Sequence, residues 1–213
     1  MVMPEEANMK HKINISRRKL LLGAIALPAA SLLHAAARTP ASYEGPFYPT
    51  PAMRHDDVDN DLVKITGLVQ QAGGEIVRLE GRVLDSNGVP LAGARVEIWQ
   101  CDVNGRYLHS RDFGRTRRDS GFQGFGHDIA QADGSYAFRT IKPVPYTGRT
   151  PHIHLKVLLA GEERLVTQLY LPDHPGNARD FLYKMVPSEE RERVTMVFDE
   201  ASPEPLARLD LVV

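Results

Sequence analysis

The chain has one cysteine, Cys101, among its 213 residues. That excludes an intrachain disulfide even in an oxidising compartment, and it excludes a metal site built on several thiolates. Stability has to come from a hydrophobic core, and any metal ligands from histidine, carboxylate or tyrosine. Charge of one sign is also missing. The 26 basic residues are balanced by 27 acidic ones, so nothing in the composition points to nucleic acid as a partner. Internal repeats and low-complexity segments are absent, and helical periodicity is scarce. Only Ser188 to Arg193 offers a short helical turn, with Ser188 as its N-cap and acidic residues after it.

Long hydrophobic runs are limited to one, Leu20 to Leu33, which is too short and too interrupted to span a bilayer comfortably. Ser16-Arg17-Arg18-Lys19-Leu20 precedes it and Ala35-Ala36-Ala37 follows, giving a basic segment, an apolar segment and a small-residue cleavage site. The paired arginines in this order resemble a twin-arginine export signal, with an ordinary secretory signal or a retained anchor as the other readings. The expected organisation is a signal over residues 1–37 and a single exported domain over residues 38–213, periplasmic or secreted. Cleavage after Ala37 removes five basic residues and two acidic ones, so the mature chain is mildly acidic.

The remainder reads as short strands between Gly, Pro and Asn turn signals, which predicts an all-β sandwich. Strands are expected at Glu75 to Leu84, Ala94 to Gln100, Tyr136 to Ile141, Pro151 to Val157, Leu165 to Leu171, Val194 to Phe198 and Leu206 to Val213. Asp133-Gly134 reads as a hairpin turn that joins an upstream strand to the one at Tyr136. Arg111 to Gly126 reads as a long loop. Tyr43-Glu44-Gly45-Pro46-Phe47-Tyr48-Pro49 forbids a helix and suggests an irregular segment laid across the domain.

The chemistry concentrates at Pro151-His152-Ile153-His154-Leu155-Lys156-Val157. Alternation along a strand turns His152 and His154 to one face and Ile153, Leu155 and Val157 to the other. The first face presents two imidazoles side by side, either as a polar surface or as a pair of metal ligands. Tyr107 follows the turn from Asp102 to Arg106, and two prolines stiffen the approach to Tyr146. Both tyrosines therefore stand at strand ends, where sites are commonly built, though each alone reads more readily as a packed aromatic than as a ligand.

Several segments occur in the order found in the intradiol ring-cleavage dioxygenases. They are Leu79-Glu80-Gly81-Arg82-Val83, Val96-Glu97-Ile98-Trp99-Gln100, Gly105-Arg106-Tyr107, Asp133 through Pro143, Pro145-Tyr146 and Arg149-Thr150-Pro151-His152-Ile153-His154. The chain resembles that family, nearest its protocatechuate dioxygenase type and exported relatives. The resemblance implies a mononuclear non-haem Fe(III) site with Tyr107, Tyr146, His152 and His154 as ligands. It implies a catechol-type substrate and O2 as partners, and a muconate-type dicarboxylic acid as product. Tyr146 then also accepts a phenolic proton, and Arg149 supplies positive charge beside the reacting ring. Gln168 and Tyr48 become candidates for the substrate pocket. His109, His127 and His174 read as surface or loop histidines, with His109 near enough to Tyr107 to support it.

Two departures from the family stand out. No helical N-terminal domain of the catechol dioxygenase kind is present, so dimerisation of that kind is not expected and the oligomeric state, a homo-oligomer included, stays open. The loop from Tyr146 to His152 is short, which predicts a more open site and tolerance of bulky catechols. Two competing readings remain. Pro90-Leu91-Ala92-Gly93-Ala94 and Asp133-Gly134-Ser135-Tyr136 also resemble non-catalytic transthyretin-like and carboxypeptidase-regulatory-like sandwich modules. A zinc or copper site could use the two histidines with a carboxylate or third histidine.

Overall fold

A computed structural model describes residues 35–213. The segment read as an export signal therefore lies outside the described residues except for its last three. The described chain forms β1 (Ile76–Leu84), β2 (Arg95–Trp99), β3 (Phe125–Ile129), β4 (Ser135–Ile141), β5 (His152–Leu159), β6 (Glu162–Tyr170), β7 (Val197–Asp199), β8 (Leu206–Arg208) and β9 (Leu211–Val212). One sheet runs β4-β1-β8-β7, with β9 also on β1, and the other runs β3-β2-β5-β6. This is the expected all-β sandwich. No helix among the described residues is long and apolar enough to cross a membrane.

Alternation builds the core. Leu79, Val83, Tyr136 and Phe138 of the first sheet meet Val96, Ile98, Ile153, Leu155, Val157 and Leu169 of the second, all buried in one cluster. Each such aliphatic side chain stabilises the fold by roughly 1.5–3 kcal/mol relative to an exposed one. The opposite face of the second sheet is covered as well. Trp99, Cys101, Tyr107, Phe125 and Val166 form a second buried cluster there, with Phe47, Tyr48 and Tyr146 packed against it.

Several local expectations are corrected. Asp133-Gly134 is not a hairpin, because β3 pairs with β2 in one sheet while β4 pairs with β1 in the other, with Phe138 opposite Leu79. The turn carries the chain between sheets, so that the apolar face of β4 completes the core opposite β2 and β5. The tight hairpin is instead Ala160-Gly161 between β5 and β6, both residues having positive φ (52° and 82°), as a type I′ two-residue turn requires. Accordingly β6 begins at Glu162, and β3 begins at Phe125, inside the segment read as loop.

The C-terminal piece is two short strands broken at Leu209 and Asp210. There the Leu209 carbonyl oxygen lies 1.8 Å from where a Cβ on Gly81 would stand, so only glycine fits opposite it. Ser188 to Val194 is a 3₁₀ turn, but Pro187 holds the cap position and no side chain caps it. The strand expected from Val194 therefore starts only at Val197. The α-helix of the domain, α1 (Phe181–Met185), was not foreseen, and the Asp180 side chain caps it by accepting from the Tyr183 amide.

Candidate active site

The outer face of β5 carries His152 and His154, both almost wholly buried (1% and 2% exposed). Trp99 of β2 stands opposite His154 in the ladder and stacks on its ring at 4.8 Å and 12°. His152 Nδ1 lies 2.7 Å from the Thr150 carbonyl oxygen. A carbonyl can only accept, so Nδ1 carries the proton and Nε2 keeps a free lone pair. The two Nε2 atoms are 3.2 Å apart.

Two loops bring the tyrosines in. The Asp102 carboxylate accepts from the Asn104 and Arg106 amides and so winds the turn that delivers Tyr107. Asp112 accepts from the Tyr107 amide at 2.6 Å and fixes its backbone. Tyr146 and Arg149 close a four-residue turn, Arg149 N donating to Tyr146 O, with Gly148 in the left-handed region. The four rings are consecutive neighbours: Tyr107–Tyr146 at 5.2 Å, Tyr146–His152 at 5.5 Å, His152–His154 at 4.8 Å and His154–Tyr107 at 5.9 Å between centroids.

The irregular segment from Tyr43 lies over this face. Phe47 stacks on Tyr107 at 4.9 Å. Gly45, at φ +78°, passes so close that an added Cβ would sit 3.4 Å from His154 Cε1. Between this segment, the rings and α1 lies a cavity of about 550 Å³ that His154, Tyr146, Arg149 and Gln168 line from below. Phe181, Leu182 and Met185 of α1 form its far wall.

Arg149 organises the polar groups. It forms a two-point ion pair with Asp180, Nε to Oδ2 at 2.8 Å and Nη2 to Oδ1 at 3.4 Å. It also donates to Gln168 Oε1 at 2.6 Å and to Tyr146 Oη at 3.3 Å. Asp180 additionally accepts from the Thr150 amide, so one carboxylate caps α1, orients Arg149 and holds the residue whose carbonyl fixes His152. Burial works against the charged form of Asp180, but Arg149 and the two amides outweigh it and hold its pKa below the ordinary value.

Burial pushes the His152 pKa down to about 4, reinforced by Arg149, and it pushes His154 well below its ordinary value. Both imidazoles are neutral at physiological pH, the form that ligates metals. Burial, then the neighbouring Tyr146, pushes the Tyr107 phenol far up. Tyr146 is raised by burial but opposed by Arg149. Tyr107 Oη is buried without a hydrogen-bond partner, a deficit that costs about 1–3 kcal/mol. A cation at this point would satisfy that oxygen as phenolate, together with the two free imidazole lone pairs. The donor set of two hard oxygens and two imidazoles suits ferric iron. Among the described residues no three His, Cys, Asp or Glu side chains cluster as metal ligands, which disfavours zinc or copper bound without tyrosine.

The Dioxygenase family model matches residues 43–205. The chain belongs to the intradiol ring-cleavage dioxygenase family. It is 36% identical over 151 residues to a protocatechuate 3,4-dioxygenase beta chain from Burkholderia cepacia, covering 66% of this chain and 63% of that one. Among solved structures, the dioxygenase domain of a dioxygenase carbohydrate-binding protein fusion from Streptomyces sp. SirexAA-E is 30% identical with a TM-score of 0.62, covering 83% of this chain and 98% of that one. An intradiol ring-cleavage dioxygenase from Tetranychus urticae, 21% identical with a TM-score of 0.65 and covering 83% and 94% of the two chains, shares the fold. The chain spans about half to just under two-thirds of the length of the curated relatives it matches.

Within this intradiol-type site the structure brings together Tyr107, Tyr146, His152, His154, Arg149 and Gln168. Tyr48 is not in the pocket. Its hydroxyl donates to Glu97 Oε2 at 2.6 Å and its ring packs edge-on against Trp99, so it backs the site from behind. The His109 ring meets Phe47, and its backbone amide donates to the Tyr107 carbonyl oxygen at 2.9 Å. His174 stands 3.1 Å from the Thr150 hydroxyl, half-buried rather than on the surface. Sequence reasoning missed Asp180 and α1. The signal available was an Asp directly before Phe181-Leu182-Tyr183-Lys184-Met185, a helix-capping arrangement.

Proposed function

We propose that the protein is a non-haem Fe(III)-dependent intradiol dioxygenase. It breaks the bond between the two hydroxyl-bearing carbons of a catechol-type diol, adds one atom of O2 to each of them and releases a muconate-type dicarboxylic acid. The atoms balance, since the diol and O2 together make the diacid with nothing left over. The curated relatives are named for protocatechuate, catechol and hydroxyquinol, which share a ring with adjacent hydroxyls.

The observation that carries this reading is the convergence of Tyr107, Tyr146, His152 and His154 with two imidazole nitrogens 3.2 Å apart and one buried phenol oxygen unpartnered. These four residues would hold the metal. Ferric iron bound there would withdraw electron density from a coordinated diol and make its ring reactive toward O2. The chain supplies the rest. Burial alone keeps Tyr146 a neutral phenol, but held as phenolate by the metal it would be the group placed to take a phenolic proton from the incoming diol, with Arg149 donating to its oxygen. The Arg149 guanidinium, held rigid by Asp180, places positive charge beside the cavity, where negative charge builds on the ring. Trp99, Phe47 and Gly45 exclude water from the imidazoles. We place this activity outside the cytoplasm because of the arginine pair and apolar run in residues 1–37.

The test is the visible spectrum of the iron-loaded protein before and after adding catechol without oxygen, followed by oxygen uptake when air is admitted. A tyrosinate-to-iron band that shifts with catechol, and one O2 consumed per diol, is the expected result. A protein that stays colourless with ferric iron and consumes no oxygen would remove the proposal.

A further inference from the structure

The cavity above the rings is far larger than one ring needs. Its volume of about 550 Å³ is in the range that encloses drug-sized ligands, whereas catechol has eight non-hydrogen atoms. It also continues. A second cavity of about 440 Å³ adjoins it, and the two share Tyr43, Leu182 and Met185 as common walls. The mouth is apolar and open to water, with Tyr43 62%, Phe181 58% and Met185 61% exposed. These are three of the ten exposed large hydrophobic side chains among the described residues, gathered at one opening.

Charge along the groove narrows the occupant further. Arg149 is the one charged side chain in the first cavity. Four of its five N–H groups are already given to Asp180, Gln168 and Tyr146, and its charge is balanced by the Asp180 carboxylate. Gln168 is committed too, its amide donating to the Tyr43 carbonyl and its oxygen accepting from Arg149 and Tyr170. A carboxylate on the substrate ring would be desolvated there beside a guanidinium whose charge Asp180 already balances, so its own charge would go uncompensated. At the second cavity the charged lining residue is Glu190, paired with Arg193 at 3.0 Å, so the lining offers an anion no cation of its own.

We propose that the site takes catechols carrying an uncharged, apolar second ring or chain, and that this substituent lies in the groove between Tyr43, Leu182 and Met185. The proposal rests on the dioxygenase reading and names the substrate class of that same site. The groove then converts apolar contact into affinity for the substituted diol, and it selects against ring carboxylates.

The experiment compares catechol, protocatechuate and 3,4-dihydroxybiphenyl on the iron-loaded protein. Dissociation constants are measured by anaerobic calorimetry and kcat/KM by oxygen uptake. Dihydroxybiphenyl should bind at least tenfold tighter than either single-ring diol, with the same order in kcat/KM. Two substitutions at the exposed Met185 give the sign. Met185→Glu should lower the preference for dihydroxybiphenyl over catechol at least tenfold, and Met185→Arg should raise protocatechuate relative to catechol. If catechol is cleaved but dihydroxybiphenyl binds no better than protocatechuate, or the Met185 substitutions leave the ratios unchanged, this proposal falls and the dioxygenase reading stands. If no diol binds or consumes oxygen, both fall.

Discussion

The two faces of β5 are made from alternate residues of one strand, yet they follow different physics. On the inner face Ile153, Leu155 and Val157 have no polar atoms to satisfy and contribute through area and fit. On the outer face His152 and His154 are equally buried but polar: the Thr150 carbonyl accepts from His152 Nδ1, the two Nε2 atoms face each other, His154 Nδ1 has no partner, and Trp99 and the loops bearing Tyr107 and Tyr146 cover the rings by packing. The inner face is stable by its own pattern. The outer face exists only because distant segments cover and orient it, so it is the face where residues can be exchanged for chemistry without dissolving the sandwich.

Substitutions should separate the two faces. The largest effect is expected from His154→Ala, which should lower bound iron per chain and kcat/KM by at least about 1,000-fold, well beyond one hydrogen bond, while the fold persists in circular dichroism. Next comes Asp180→Ala. It leaves the Arg149 guanidinium buried without its anion, so unfolding free energy should fall by about 3–5 kcal/mol in denaturant titration. The kcat/KM should fall by about 100-fold as Arg149 loses its orientation. On the inner face, Leu155→Ala should cost about 2–5 kcal/mol of stability, with the iron content of the surviving folded protein unchanged. Iron lost in proportion to that destabilisation would show that the faces are not separable.

The faces also differ in their response to pH. His152 is buried neutral, with its pKa held near 4, while in the unfolded chain it takes a proton at its ordinary value of 6.5. Between those values the unfolded state binds more protons. Stability of the iron-free protein should therefore be complete above pH 6.5 and decline as the pH falls to about 4, by on the order of 3 kcal/mol from this group. Replacing His152 with Gln should make that decline shallower but not abolish it, because His154 is also buried neutral, as followed by thermal melts across the pH series. An undiminished slope would assign the acid sensitivity elsewhere.

The sandwich was legible because alternation at Val96 and Ile98, and again at Ile153, Leu155 and Val157, fixes which face is core. The donor residues were legible through the family's ordered motifs, not through spacing, since Tyr107 and Tyr146 reach the histidines only by long-range folding. Asp133-Gly134 misled because the same dipeptide serves a hairpin and a crossing between sheets; which one forms depends on whether β4 finds β1 or β3. Asp180 escaped notice because its partners, Arg149 and Thr150, are about thirty residues away, and the single-turn helix it caps is too short to show periodicity.

Tyr48 tests how far the outer face reaches behind the rings. Its hydroxyl donates to Glu97, which is 4% exposed and also paired with Arg95, and its ring rests on the Trp99 that stacks on His154. Tyr48→Phe keeps the ring and removes only the donor. Glu97 retains Arg95, so the loss should be about 1 kcal/mol in denaturant unfolding, smaller than for an orphaned carboxylate. Because the hydroxyl points away from the cavity, kcat/KM should stay within about threefold of the parent protein. A drop as large as that of a lining residue would mean that the Glu97 contact sets the tilt of Trp99 and, through it, the plane of the His154 ring.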